Sequence, residues 1–200
     1  MVRATPNIRE TQGFGFGGLI LTPNARRVGF LTSATHLPSM SDSGPRVRKR
    51  RALRRQDARS ILEGASKYIS GQSFSLVEEA ETEDGTKIYL LDDEILLFKA
   101  DDSLYPTLRC KCVDALPAVI VDMGAIPFVC KGADVMAPGI TEIKTPFDEG
   151  TIVVVRDVKH GKALAIGKAL RGSAAIMAEK KGKVIHNLHY VGDKIWETET

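Results

Sequence analysis

VDMGAIPFVCKGADVMAPGI, residues 121–140, places the end of a strand, a short helix and a second strand within twenty residues. The apolar, β-branched run at 118–121 is typical of a buried strand, and Gly124 interrupts it where the chain has to turn. Because proline is tolerated in the first turn of a helix, Pro127 predicts a helix over about 124–131. Gly132 then occupies the position of a left-handed helix cap. The glycines and the proline of this stretch are therefore predicted to shape the backbone and not to form a catalytic motif.

The two glycines also indicate a binding surface. Without a Cβ atom, Gly124 and Gly132 would let a ligand reach their amides and the helix N-terminus, whose partial positive charge suits phosphate. Simple tight packing is the alternative interpretation. Asp122 is expected to accept hydrogen bonds from backbone amides where the helix begins.

The pattern V-D-x-G-A, followed by a hydrophobic helix and G-A-x-x-M-x-P-G-I, resembles the signature of the PUA domain. This domain is a small RNA-binding pseudobarrel named for pseudouridine synthases and archaeosine transglycosylases. Two further segments, YPTLR at 105–109 and NLHYVGD at 187–193 followed by Trp196, resemble the malignant-T-cell-amplified-sequence family and ligatin-type initiation factors. The resemblance covers about residues 46–200 and leaves 1–45 outside.

The resemblance implies an α+β protein with two domains. These are a small N-terminal domain of helix and antiparallel sheet at 46–116 and a C-terminal PUA pseudobarrel at 117–200. Residues 1–45 are interpreted as a disordered leader or a misassigned start. RNA would be held at the helix-and-strand edge, mainly through its backbone and shape. The residues expected there are Gly124, Ala125, Lys131, Gly132, Ala133, Pro138 and Gly139, with Lys159 and Lys162 of a predicted hairpin tip adding phosphate contacts.

The resemblance also implies partners. Proteins of this family bind tRNA and the small ribosomal subunit in recycling, reinitiation or unconventional initiation. Some act with a separate density-regulated protein that carries an initiation-factor-like domain. A cytoplasmic RNA-binding protein of the translation apparatus, without cofactor, is therefore expected. The alternative is an accessory protein for tRNA or rRNA modification acting in trans, because many PUA domains accompany modifying enzymes.

Composition and motifs argue against catalysis, a metal site and a membrane span. The three cysteines, Cys110, Cys112 and Cys130, lack C-x-x-C spacing, and no recognisable base accompanies Cys110 or Cys112. His186 and His189, three residues apart in a predicted strand, are expected to point to opposite faces and not to share a metal. Nucleotide-loop and hydrolase motifs are absent, and no apolar run reaches the ~20 residues of a membrane helix.

Charge is unevenly distributed. The net charge is only +3, but residues 46–59 carry eight basic side chains against Asp57 alone, and residues 60–102 carry eleven acids against three lysines. The basic segment would either dock on an acidic face of its own domain or contact phosphates. Since 48–51 contains no apolar residue that would fix it against a core, its side chains are expected to be mobile and hydrated.

The remaining patterns predict the secondary structure. Helical spacing predicts an amphipathic helix of about four turns ending near Gly71, and alternation predicts strands at 75–81, 87–92 and 94–100. A second helix is expected at 105–115, with Pro106 in its first turn. Strands at 151–157 and 163–169 flank a hairpin containing Gly161, helical turns follow at 173–180, and strands at 183–190 and 194–197 complete a small closed or nearly closed barrel.

Overall fold

The computed structural model describes residues 46–199, so the prediction for residues 1–45 lies outside it. The chain first forms a five-stranded antiparallel sheet whose strands pair in sequence order. The strands are β1 (Arg48–Ala52), β2 (Val77–Glu81), β3 (Lys87–Leu91), β4 (Glu94–Ala100) and β5 (Ser103–Pro106). The three strands expected at 75–100 are thus confirmed as β2, β3 and β4.

Two helices connect β1 to β2. They are α1 (Arg55–Gly64) and α2 (Ser66–Ile69), where a single four-turn helix was expected. The break falls at Ala65, which is fully buried and has φ −98° and ψ 5°, outside regular helical geometry. The apolar stripe of α1 packs against the core through Ala58, Ile61 and Leu62 as half-buried side chains.

The second half forms a six-stranded sheet that curls into half a barrel, in the order β7-β11-β10-β9-β6-β8. Its strands are β6 (Ala118–Val121), β7 (Val135–Met136), β8 (Ile140–Ile143), β9 (Ile152–Asp157), β10 (Ala163–Ala169) and β11 (Lys183–Tyr190). The helices are α3 (Ile126–Val129), α4 (Ser173–Glu179) and α5 (Lys194–Glu197). Strands β6 and β9 run parallel, and the other pairs are antiparallel. The predicted α+β fold is confirmed.

The two sheets share one hydrophobic core. Ile88 and Phe98 of the first sheet cluster with Val154 and Ile166 of the second, and all four are buried. A second core, which includes Val121, Val153 and Ile185, fills the inside of the curled sheet. The division into domains at residue 116 remains a prediction.

Two predicted elements are wrong. Tyr105 and Pro106 do not begin a helix but end β5, opposite Phe98 and Leu97, and the rings of Phe98 and Tyr105 are 5.7 Å apart. Only a 3₁₀ turn at Lys111–Ala115 is helical in that segment. The strand expected at 194–197 is α5, because the Oδ1 atom of Asp193 accepts a hydrogen bond from Trp196 N at 2.8 Å and caps a helix.

The expectation of mobile basic side chains at 48–51 is also wrong for Lys49, Arg50 and Arg51, each of which forms an ion pair. This segment is β1, which pairs with the acidic strand β2 so that Arg51 stands opposite Glu79. Arg50 forms two hydrogen bonds with Glu78, at 2.6 and 3.1 Å, and also contacts Asp93. Docking on an acidic face, the other interpretation of the charge pattern, is therefore what the structure shows for this strand.

None of the helices within 46–199 combines the length and the apolar character that crossing a bilayer requires.

Candidate nucleic-acid interface

Asp122 holds together the three segments that meet at the end of β6. Its Oδ1 atom accepts a hydrogen bond from Ala125 N at 2.8 Å, and its own N donates to Gly139 O at 2.9 Å. The expected role of Asp122 at the helix entrance is confirmed. The helix itself, α3, is shorter than predicted, with Pro127 in its first turn as expected.

The C-terminal end of α3 closes with a Schellman motif. Gly132 has φ +85°, its N donates to Val129 O at 3.0 Å, and Ala133 N donates to Phe128 O at 3.0 Å. The predicted left-handed cap is confirmed. The expectation that the amides of Gly132 and Ala133 are available to a ligand is wrong, because both already donate to carbonyls of the helix.

Asn187 on β11 ties this turn to the sheet. Its side-chain Nδ2 donates to Val129 O at 3.0 Å and to Ala133 O at 3.1 Å, and its backbone N donates to Asp134 Oδ1 at 2.8 Å. One side chain thus bonds the last carbonyl of α3, which also accepts from Gly132 N, and a carbonyl of the turn that follows. Asn187 therefore connects the turn after α3 to strand β11.

Asp134, beside the turn, lies close to two basic side chains. Lys183 Nζ lies 3.0 Å from its Oδ2, and His186 Nδ1 lies 2.8 Å from its Oδ1. Burial alone would raise the pKa of Asp134, but the hydrogen bonds from Asn187, Lys183 and His186 outweigh it and lower that pKa below its ordinary value. Asp134 therefore stays ionised and balances the charge of Lys183.

These elements enclose an open cleft of about 610 Å³. Its lining is mostly apolar and consists of Asp122, Gly124, Ala125, Phe128, Val129, Ala133, Asp134, Val135, Met136, Pro138, Gly139 and Lys183. Two large apolar side chains on its walls face solvent, since Phe128 is 66% and Met136 50% exposed. Side chains of this kind are usually buried, so their exposure at one cleft indicates a binding surface.

The structure brings together five of the predicted site residues in this cleft: Gly124, Ala125, Ala133, Pro138 and Gly139. Lys131 and Gly132 are not part of its lining. Lys159 and Lys162 lie in the β9–β10 hairpin, as predicted, where Asp157 accepts hydrogen bonds from both of their amides. Val158 N donates to Val121 O at 3.1 Å, so this hairpin adjoins the end of β6.

Sequence reasoning missed four residues of the cleft region: Phe128, Asp134, Met136 and Asn187. Phe128 and Met136 fit a buried pattern as well as an exposed one, because nothing local distinguishes them from core side chains. Asn187 lies in the segment at 187–193 that supports the family resemblance, but its partners are 54 and 58 residues away.

The histidines and cysteines considered in the sequence occupy separate surroundings. His186 is exposed and pairs with Asp134, whereas His189 is buried and donates from Nδ1 to Asp193 Oδ2 at 2.7 Å. A hydrogen bond with the Cys112 thiol lowers the pKa of Cys110 to about 7. Within residues 46–199, no cluster of three or more potential metal ligands is found.

Residues 117–191 match the family described as PUA domain. The fold agrees with this match. The chain superimposes on a crystal structure of a PUA domain from Aeropyrum pernix with a TM-score of 0.64 and 28% sequence identity, covering 78% of this chain and 96% of that one. The curled sheet and the strand–helix–strand edge at the cleft are those of a PUA-domain protein.

Two curated relatives narrow the class. The chain is 38% identical over 157 residues to an uncharacterised protein of Methanocaldococcus jannaschii, covering 75% of this chain and 96% of that protein. It is also 38% identical over 130 residues to translation machinery-associated protein 20 of Saccharomyces cerevisiae, covering 61% and 72%. The chain therefore belongs to the family of translation machinery-associated protein 20 and the malignant T-cell-amplified sequence proteins, as its motifs predict.

Proposed function

We propose that this protein binds RNA in translation, that its RNA is tRNA or small-subunit rRNA, and that the cleft beside α3 is the contact surface. The observation that carries the proposal is the cleft itself, an open, mostly apolar depression at the strand–helix–strand edge of the PUA domain. Membership of a family named for the translation machinery supports the cellular process.

The composition of the cleft suits an unpaired nucleotide. Gly124, Ala125 and Gly139 present little or no side chain, so a ribose or phosphate is able to approach the backbone closely. Exposed Phe128 and Met136 offer apolar surface to a base that is not stacked in a duplex. The exposed side chains of Lys131, Lys159 and Lys162 supply charge for phosphates, whereas Asp134 balances the charge of Lys183 in the lining of the cleft.

The proposal extends to the setting of the protein. Family membership supports a cytoplasmic location, a role without catalysis and a partner resembling the density-regulated protein. Binding of the RNA is expected to require neither cofactor nor metal, so it should persist in the presence of a chelator.

Removing the two apolar walls tests the cleft. The double variant Phe128→Ser, Met136→Ser should weaken binding of deacylated tRNA by about 5- to 150-fold, because stacking of one base on an aromatic side chain contributes about 1–3 kcal/mol. Both side chains are at least half exposed, so folding should be spared. Fluorescence anisotropy with labelled tRNA measures the affinity.

Two other exposed apolar residues provide the matched control, Leu76→Ser with Met177→Ser, which are 41% and 43% exposed in the wild type. This control should bind tRNA as the wild type does. Equal affinity of the wall variant and the wild type would remove the cleft from the proposal.

Crosslinking in cell extract, followed by sequencing of the bound RNA, tests the kind of RNA. Recovery of tRNA or small-subunit rRNA supports the proposal. Recovery of modification guide RNAs alone would favour the accessory role in RNA modification, and recovery of no RNA would overturn both.

A further inference from the structure

The basic segment at the start of the described chain divides into two kinds of cation. Four of its eight basic side chains are paired with carboxylates, namely Lys49, Arg50, Arg51 and Arg59. Among residues 46–199, no carboxylate oxygen lies within 4 Å of the cationic nitrogens of the other four, Arg46, Arg48, Arg54 and Arg55. The last three are exposed and lie along β1 and at the start of α1, and we call these three the arginine edge.

The arginine edge follows the outermost strand of the first sheet. β1 pairs with β2 on one side only, and all five of its residues are exposed. Arg48 begins the strand, and Arg54 and Arg55 stand where the chain passes from the strand into α1. A fully extended chain would separate Arg48 from Arg54 by at most about 20 Å, and the bulge between Arg48 and Arg51, where Lys49 has φ +51°, makes the separation shorter than that. The three arginines thus lie within the span of a few nucleotides.

Folding does not account for these three charges. Arg54 and Arg55 lie at the N-terminus of α1, where the helix dipole disfavours a cation, and Arg54 makes no capping hydrogen bond through its side chain. Arg50, by contrast, is anchored against Glu78 and Asp93 and keeps β1 in place. Exposed charges on an edge strand also hinder pairing with another strand, a role that requires no particular ligand.

We propose that the arginine edge is a second RNA-binding surface, which contacts phosphates of the RNA backbone without reading sequence. Guanidinium groups without carboxylate partners bind phosphate with two parallel hydrogen bonds and release counterions as they do so. The acidic strand β2 fixes β1 by pairing with Lys49, Arg50 and Arg51, so Arg48 is presented from a fixed strand, and Arg54 and Arg55 from the start of the helix that follows it. This inference rests on the proposed RNA-binding function, since it takes RNA as the ligand, but it places part of the binding outside the cleft.

The test is the triple variant Arg48→Gln, Arg54→Gln, Arg55→Gln, which keeps the length of each side chain and removes its charge. Anisotropy is measured from 50 to 300 mM salt with two probes, deacylated tRNA and an unstructured 12-nucleotide oligouridylate. We expect affinity for both probes to fall by a similar factor, about 10- to 100-fold at 100 mM salt. The slope of log K against log salt should become less steep by about 2, because each phosphate contact on single-stranded RNA contributes about 0.7.

The matched control is Lys67→Gln, Lys111→Gln, Lys181→Gln, which changes the net charge equally at exposed positions that likewise have no carboxylate oxygen within 4 Å among residues 46–199. It should alter affinity by less than the arginine-edge variant, and the melting temperatures of both should match the wild type. If the two triple variants bind alike while the wild type binds RNA, the arginine edge is overturned and the proposed function stands. If the wild type binds neither probe, the proposed function itself fails, and increased aggregation with unchanged affinity would assign the arginines to protection of the edge strand.

Discussion

Gly132 faces the ring of Tyr190 at a distance that leaves no room for a side chain. A Cβ atom built at this position would lie 2.9 Å from Cε1 and 3.0 Å from the hydroxyl oxygen of the tyrosine. The residue also has φ +85°, which other residues adopt only with strain. Both constraints exclude a Cβ atom at position 132. The absence of that atom lets the turn after α3 lie close to Tyr190 on β11.

Replacement of Gly132 by alanine should therefore lower the free energy of unfolding by more than strain alone. Left-handed strain costs about 1 kcal/mol, and displacing the tyrosine ring adds about 1–3 kcal/mol. Gly182→Ala is the matched control, because Gly182 has φ +78° and nothing within 4 Å of a built Cβ atom. Urea unfolding of both variants measures the difference, and equal losses would show that Tyr190 yields without cost.

The carboxylate of Asp193 leads to a prediction about pH. Burial alone would raise its pKa, but hydrogen bonds from His189, Trp196 N and Tyr190 N lower that pKa below the ordinary value. Since the folded pKa lies below the value of ~3.9 in the unfolded chain, this stabilisation is complete above about pH 5. It is lost as the pH falls through the folded pKa.

Asp193→Asn should therefore reduce the free energy of unfolding by about 1–3 kcal/mol at pH 7, and this difference from the wild type should shrink below about pH 4. Chemical unfolding at pH 7 and pH 3 measures it. Asp114→Asn, at an exposed ion pair with Arg156, is the control and should change little at either pH. A deficit for Asp193→Asn that stays the same at both pH values would contradict the assignment.

Strand β1 shows that an element rich in charge needs an oppositely charged neighbour to form. Two of its three arginines form ion pairs in different surroundings. The Arg50 side chain is 29% exposed and its partner Glu78 12%, whereas the Arg51 side chain is 68% exposed. Charge-assisted hydrogen bonds shielded from water contribute more to folding than exposed ion pairs do.

Arg50→Ala should therefore lower the free energy of unfolding by about 1–2 kcal/mol, and Arg51→Ala by about 0.5 kcal/mol or less. Hydrogen exchange should show the amides of β1 losing protection in the first variant but not in the second. Similar losses in the two variants would mean that strand pairing, and not the Arg50–Glu78 ion pair, stabilises β1.

Elements with a local cause could be predicted from the sequence, and elements with a distant cause could not. Gly132, Pro127 and Gly161 act on their own backbone, so the cap, the helix start and the hairpin were predicted correctly. Pro106 fits the first turn of a helix as well as a strand. The segment forms a strand because Tyr105, the residue before Pro106, pairs with Phe98 of β4. Likewise β1 formed because of acids some thirty residues away.

The same distinction holds for the candidate site. The small residues of the cleft follow from the family pattern, and five of them do line it. The exposure of Phe128 and Met136, and the bonds from Asn187 to the turn, arise only when β7, β11 and α3 meet. The apolar character of the site was therefore not predictable from local patterns.

At the scale of the whole molecule, the core shared by the two sheets is expected to make their unfolding cooperative. Ile166 lies on β10 of the second sheet, is fully buried, and belongs to the same cluster as Ile88 and Phe98 of the first. If either sheet unfolded, these apolar side chains of the other sheet would be exposed to water.

Ile166→Ala should lower the free energy of unfolding by about 2–5 kcal/mol, as buried large-to-small changes do, and should reduce hydrogen-exchange protection in both sheets alike. Calorimetry should show a single transition in the wild type and in the variant. Two separate transitions, with the loss confined to the second, would instead establish two independently stable domains divided near residue 116.

Asn187 gives the cleft a property that bears on how fast it is occupied. The side-chain amide of Asn187 donates to Val129 O and Ala133 O from the side of the sheet, so the turn is ordered before any ligand binds. A preformed surface loses little conformational entropy when it binds a ligand, and its shape changes little in the complex. Encounter with the ligand should then proceed in one kinetic step, at a rate governed by diffusion and long-range charge and not by a rearrangement of the protein.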